Sequence, residues 1–379
     1  MLRAEFPLKR PVLVVSDYPV QNEVDRDIPY SGASNLDMLN GLAKAGIKQS
    51  EMNRTYLSYE RPSAENFEFC KSFTKLKGVA GSAFNWVKLE HQKDCYVEES
   101  LYQEIVNLVE EIRSSEAKLV IVTGKLTFFL LSGLSTLSKT IGSGSGDKPL
   151  GGLATYRASV TKIAECWNLP DVILYPMLPP VTKHRMPEKA PIMVWDSLKA
   201  GDIYRRLESN EKSVSDYINP NYRIIYGTDD TTIFNFFKEL DDALGKGIVK
   251  VSVDIETRHY TIDCIGLGFK KGEAICIPFS TIDSPNFWSA EQELAIVRGI
   301  NKRLTHPNCK IIGQNFSYDA QFLWKFWLAK FHAGLDTMIA SHCMHNKMQK
   351  SLDFLASIYC ETYVYWKSMQ QHNLEDISK

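Results

Sequence analysis

The chain has 379 residues, 44% hydrophobic and 23% charged, a globular composition that at ~150 residues per domain predicts two or three domains. Lys plus Arg is 44 against 45 for Asp plus Glu, so the net charge of -1 excludes a uniformly basic nucleic-acid coat and leaves only a local basic groove. No apolar run approaches the ~18 residues of a membrane span, and the N-terminal MLRAEFPLKRP is not a secretory signal. Cysteines stand at 70, 95, 166, 264, 276, 309, 343 and 360 with no CxxC pair, which argues against zinc and against an Fe–S cluster. Such scattered cysteines, without a signal peptide, predict reduced thiols in a cytoplasmic chain.

The first half has the pattern of an α/β domain. PVLVV (11–15) predicts a buried parallel strand. A helix follows at 35–45, with Asn35 as its cap and Gly46 as its stop. Residues 100–113 place Leu101, Ile105, Leu108, Val109 and Ile112 on one helical stripe behind a Ser100 cap. KLVIVTG (118–124) predicts a second strand, with Gly124 as a strand-end turn rather than part of a phosphate loop, and LTFFLLSGL an apolar helix. GSGSGDKPLGG (142–152) predicts a flexible loop and DVILYP (171–176) a third strand. The proline-rich stretch after it carries Lys183, His184, Arg185 and Lys189, a basic loop that either touches phosphates or is simply solvated.

Residues 201–220 are polar and are expected to link domain 1–200 to a second α/β domain at 221–379. There YRIIYG (222–227) precedes a helix with Ile233, Phe236, Phe237, Leu240 and Leu244 on one side. Strand signals at 248–256, 262–269 and 273–279 suggest an antiparallel meander. Helices at 289–304, 318–330, 336–345 and 351–359 and a short strand at 310–313 suggest a mixed sheet. Asp336 and Asp353 sit at helix starts, as caps. The aromatics Trp324, Phe326 and Trp327 are expected in the core, with base stacking as the alternative, and His342, Cys343 and His345 in helix packing rather than as a metal pair.

The most informative segment is IVKVSVDIET (248–257). In a strand, Val249, Val251, Val253 and Ile255 share an apolar face, while Lys250, Ser252, Asp254 and Glu256 share the other. Two carboxylates roughly 6–7 Å apart on one side repel unless a cation lies between them, and hard divalent cations take such oxygen ligands. The alternative is a solvated strand face. In IIGQNFSYDAQFLWKFW (311–327) a strand stops at Gly313, Asn315 or Ser317 can cap the following helix, and Asp319 falls in its first turn. Asp319 therefore either complements the helix dipole or joins a site at the strand end.

The ordered pair DIET and GQNFSYD resembles the first two motifs of the proofreading 3′–5′ exonuclease domain of DNA polymerase I-type (family A) enzymes. GLDTMIASHCMHNKMQKSLDFLASIYC (334–360) is similar to the stretch that follows them in that family. The resemblance implies a DEDD exonuclease with an RNase H-like mixed sheet over about 221–379. It makes Asp254, Glu256 and Asp319 the metal-binding catalytic carboxylates, with Asn315 and Thr257 toward the substrate. It also implies two Mg²⁺ (or Mn²⁺) ions roughly 4 Å apart, removing nucleotides from a single-stranded DNA 3′ end. The family's third motif, Tyr-x-x-x-Asp, does not occur after residue 319. The expectation is therefore the N-terminal piece of a split or truncated polymerase gene, completed by a polymerase chain or a C-terminal continuation. A bacteriophage source, and hence a host-cell cytoplasm, fits the unusual fusion.

VLVVSDYPVQNEVDRDIPYSGASNLDMLNGLAKAGI (12–47) is similar to the opening of uracil-DNA glycosylase superfamily domains. This implies a three-layer α/β/α domain in which Asp17 positions water and Tyr30 lies in the substrate turn. Ser16 and Val20 stand where the family has loop glycines, and Tyr175 where it has histidine. Those departures favour a DNA-holding module over an active glycosylase.

Overall fold

The computed structural model describes residues 8–60, 70–72, 85–92, 95–134, 151–218, 221–258, 260–281, 284, 286–331, 333–362 and 365. The expected loop at 142–152 lies outside them up to residue 150, and its last two residues begin the helix Gly151–Tyr156. The chain forms two compact units. Among the described residues, one runs from 8 to 218 and takes back 356–362 and 365; the other spans 221–355.

The main sheet of the first unit is built from β1 (Val12–Ser16), β2 (Met52–Tyr56), β6 (Leu119–Val122), β7 (Thr161–Lys162) and β8 (Ile173–Pro176), in the order β2-β1-β6-β8-β7. All neighbours are parallel except β7 with β8. Strands β3 (Cys70–Ser72), β4 (Trp86–Lys88) and β5 (Cys95–Glu98) form a small antiparallel sheet of their own. Alternate residues of the main sheet enter separate cores. Leu13, Val15, Val120 and Val122 pack with helices Glu99–Ser115 and Lys125–Ser132; Val12, Val14, Leu119 and Ile121 pack with helices Ala33–Lys44 and Ala190–Glu208. Burial on both faces is why these strands are continuous apolar runs. The unit is thus three-layered.

Two expectations change here. The described part of the expected linker, 201–218, is not one: Ala200, Ile203, Tyr204 and Leu207 continue the helix Ala190–Glu208 into the second core, joined by Val214 and Tyr217. Their helical spacing is hidden in the sequence by the charged outer face of Asp202, Arg205, Arg206 and Glu208. Gly201 permits the helix crossing, since a Cβ there would lie 2.0 Å from the Ala45 carbonyl oxygen. In addition, the helix Ala33–Lys44 begins two residues early, and Asn35 sits inside its first turn instead of capping it.

The returning segment completes a buried polar cluster. Arg157 pairs with Asp196 through Nη2–Oδ1 at 2.6 Å and Nε–Oδ2 at 3.1 Å, with side chains only 6% and 1% exposed. Its Nη1 donates to Ser357 Oγ at 2.6 Å, Lys199 Nζ donates to the Ser357 carbonyl at 3.0 Å, and Arg206 and Lys212 hold Glu361.

The second unit is a six-stranded sheet in the order β14-β13-β10-β11-β12-β9. Its strands are β9 (Arg223–Tyr226), β10 (Val249–Arg258), β11 (Thr261–Lys270), β12 (Glu273–Pro278), β13 (Cys309–Gly313) and β14 (Ala333–Asp336). The meander β10-β11-β12 is antiparallel, and β9, β13 and β14 are parallel to their neighbours, so the sheet is mixed. Val251, Val253, Ile255, Ile265, Leu267, Ile275 and Ile277 face the core formed with helices Asp230–Lys246, Ala290–Leu304 and Phe316–Trp327. Asp229 caps the first helix through Thr232 N at 2.9 Å, and Ser289 caps the second in a capping box with Gln292.

Removing one partner of a buried ion pair leaves an uncompensated charge. Arg157→Met should therefore lower the unfolding free energy of the first unit by about 3–5 kcal/mol. Urea denaturation reads this as a lower midpoint, and Arg157→Met with Asp196→Leu should recover most of the loss.

Candidate nuclease site and the first-unit cavity

The site grows out of β10. Burial along the strand alternates, so Asp254 and Glu256 stand on the solvent side, away from the core that holds Val253 and Ile255. Pairing with β13 stops at Ser252–Ile312, which leaves the far end of β10 open to another partner. Asp319 fills that place. It lies in the first turn of the helix Phe316–Trp327, is only 4% exposed, and its Oδ1 accepts the Ile255 N–H at 3.0 Å. The backbone donor between the two strand carboxylates is thereby taken by the third.

The electrostatics follow from that placement. Burial, together with the charges of Asp254 and Asp336, pushes the Asp319 carboxyl up to about 6, against the lowering effect of the Ile255 bond. Burial also raises Asp254, and burial with the charges of Asp254 and Asp263 raises Glu256. The structure puts Asp254 within electrostatic reach of both Glu256 and Asp319. It does not bring them into a closed metal cage: among the described residues, no three His, Cys, Asp or Glu side chains stand at metal-holding spacing.

The remaining neighbours are ordered locally. The register shift at Glu256/Thr257 leaves Asp263 as the bulged residue of β11, and its carboxylate is held by Arg258 at 3.0 Å and by Ser280. Thr257 Oγ1 and Tyr318 Oη share a hydrogen bond of 2.7 Å. Asn315 occupies the N-cap position in the left-handed region (φ 57°), yet its side chain makes no cap bond.

Sequence reasoning missed Tyr318. It begins a row with Phe322 and Phe326, with centroids 4.9 and 6.1 Å apart along the Asp319 helix. The i, i+4, i+8 spacing was there to be seen. Trp324 and Phe326, expected in the core, are 52% and 39% exposed, because the core takes only Phe316, Leu323 and the inner flank of this helix. His342 and Cys343 are exposed as well, so they are not packed in the core.

Two first-unit candidates take on different roles. Tyr30 is 0% exposed, and its hydroxyl lies 3.0 Å from the Thr55 carbonyl and 3.2 Å from Ser16 Oγ, so it is a core residue and not a substrate contact. Asp17 caps the helix Lys125–Ser132: Oδ1 accepts from Thr127 N and Oγ1 at 2.8 Å each, and Oδ2 accepts from Leu126 N at 3.2 Å. Burial still raises its carboxyl. Gly124 is required beside it, because a Cβ there would lie 2.1 Å from Asp17 Oδ1. Glu23, also missed, is fully buried and accepts from Val20 N, Gly32 N, Asn35 Nδ2 and Tyr56 Oη, which fixes the loop before the helix Ala33–Lys44. A cavity of about 610 Å³ opens at the ends of β1 and β6, lined by Asp17, Asn22, Ser34, Lys125, Pro180 and Arg185, among others. It lies where the strand order reverses, the position at which open α/β sheets build sites.

Comparison with known proteins adds to this geometry. Residues 224–376 match a family described as 3′-5′ exonuclease. A segment of 128 residues is 34% identical to DNA polymerase I of Borreliella burgdorferi, covering 32% of this chain and 14% of that polymerase. Similar solved structures include the catalytic core of RRP6 from Trypanosoma brucei (14% identity, TM-score 0.30, 40% of this chain and 38% of that one). Escherichia coli RNase D is another (16% identity, TM-score 0.27, 38% and 34%). The EXD2 exonuclease domain is a third (13% identity, TM-score 0.26, 38% and 72%). The family match and the polymerase relative support a DEDD 3′–5′ exonuclease domain of the DNA polymerase I type in residues 224–376. No helix among the described residues is long and apolar enough to cross a membrane.

The raised Asp319 carboxyl fixes the sign of a pH effect. A folded value of about 6 exceeds the unfolded value of roughly 3.9, so this contribution is full below the unfolded value and lost as pH rises through about 6. Without divalent metal, the second unit should be more stable at pH 4.5 than at pH 7.5 by roughly 2 kcal/mol. Asp319→Asn should remove most of that difference in urea midpoints.

Proposed function

We propose that the second unit is a metal-dependent 3′–5′ exonuclease that trims single-stranded DNA 3′ ends as the proofreading partner of a family A DNA polymerase. The observation that carries the reading is the bond from Ile255 N to Asp319, which holds a third carboxylate beside Asp254 and Glu256. The charge of Asp254 raises both Glu256 and Asp319, and a cation beside these acids would relieve that repulsion. The all-oxygen donor set fits Mg²⁺ or Mn²⁺, and Asp254, Glu256 and Asp319 would hold the ions once their side chains draw inward. Bound there, divalent ions supply the charge that activates water and stabilises the departing 3′ oxygen. The protein's own groups orient the strand. Tyr318, Phe322 and Phe326 offer ring faces for unpaired bases, and Thr257 fixes the Tyr318 hydroxyl. Asn315 sits at the turn beside them and completes the substrate side.

With a 3′-labelled single strand and Mg²⁺ or Mn²⁺, the protein should release nucleotides from the labelled end. Asp254→Ala should lower the rate at least about 100-fold. Digestion undiminished by this change would remove the nuclease reading, and parallel RNA strands decide the sugar preference.

For the first unit, we infer a glycosylase-like module that holds DNA without excising bases. Asp17 has both oxygens engaged by a helix start, while Lys125 and Arg185 line the cavity. Lys125→Ala and Arg185→Ala should each weaken DNA binding and reduce its logarithmic salt slope by about 1. Uracil excision that depends on Asp17 would establish a glycosylase instead.

A further inference from the structure

Asp336 ends β14 and caps the helix Thr337–Met344, with Oδ1 accepting from Met338 N at 2.9 Å and Ile339 N at 3.2 Å. The same carboxylate also reaches back to the start of the Asp319 helix. Oδ1 accepts from Asn315 N at 3.1 Å, and Oδ2 from Phe316 N at 2.8 Å. An ordinary N-cap satisfies one or two amides of its own helix. Here one carboxylate takes four, two of them from a different helix that has no side-chain cap of its own. The next residue reinforces the link. Thr337 Oγ1 donates to the Gly313 carbonyl at 3.1 Å and contacts Gln314 Oε1, and Gln314 Nε2 donates to the Lys350 carbonyl at 2.6 Å.

Asp319 lies one helical turn after Asn315–Phe316, so the direction of its side chain follows from how those two amides are held. We propose that Asp336 is the positioning residue of the nuclease site: by gripping the amides of Asn315 and Phe316 it aims the Asp319 carboxylate at Ile255, between Asp254 and Glu256. This rests on the exonuclease reading. Asp336 is not itself a ligand, because its oxygens are already taken by four N–H groups.

The variant Asp336→Ser separates this role from plain capping. Serine still caps its own helix through Oγ, but it cannot also hold two amides of another. In the full chain, amide hydrogen exchange should accelerate about 10-fold or more across 313–320 and stay unchanged across 338–344. The Mn²⁺ concentration for half-saturation, read by titration calorimetry, should rise about 10–100-fold. Exchange unchanged at 313–320 overturns the proposal. Equal acceleration over 338–344 also overturns it, since Asp336 would then be only a cap. So does loosened exchange at 313–320 with Mn²⁺ affinity unchanged. A wild-type chain that takes up no Mn²⁺ would undo the exonuclease reading, while the exchange arm still decides whether Asp336 positions Asp319.

Discussion

Like charges held close together must be neutralised, screened or protonated, and the second unit is arranged around that constraint. The pleat of β10 sends Asp254 and Glu256 to one side, with the Ile255 amide between them. Asp319 takes that amide and is buried there, while Asp254 and Glu256 stay on the solvent side beside it. The core face of Val251, Val253 and Ile255 anchors the strand so that the acids cannot turn inward. The bulge after Glu256 and the ties on Asp263 keep a fourth acid to the side.

The two units use the same element in opposite ways. Each has an aspartate where a strand end meets a helix start. In the first, Asp17 receives two amides and a hydroxyl from the helix Lys125–Ser132, a full complement of donors for a structural cap. In the second, Asp319 receives one amide from a strand and stands beside other acids. The count of donors on the carboxylate separates a cap from a candidate ligand. Asp336, with four amides, falls on the structural side of that line while acting on the functional one.

The division of the chain is also physical. Residues 356–362 cross back to the first unit because Arg157, Lys199, Arg206 and Lys212 need acceptors that Ser357 and Glu361 provide. Burial of Arg157 with Asp196 makes that demand strong, since an unmatched buried charge costs several kcal/mol.

Local periodicity determined much by itself. Period two in 248–257 assigned Asp254 and Glu256 to the open face, and apolar runs marked the buried strands at 12–16 and 119–122. Helical stripes marked the helices at 99–115 and 230–246. Each of these depends only on side chains a few residues apart, which a sequence displays directly. Tertiary structure decided the rest. Tyr30 became core because Thr55 and Ser16, distant in sequence, meet its hydroxyl; Asp17 became a cap because Leu126 and Thr127 fold over it. Ile203, Tyr204, Leu207, Val214 and Tyr217 became core as another helix packs close at Gly201. Asp319 reached Ile255 only because β13 stops pairing at Ser252 and leaves that amide free. Hydrogen-bond partners 60 to 110 residues apart leave no local pattern, so the donors around each carboxylate, and with them its chemistry, were settled by the fold.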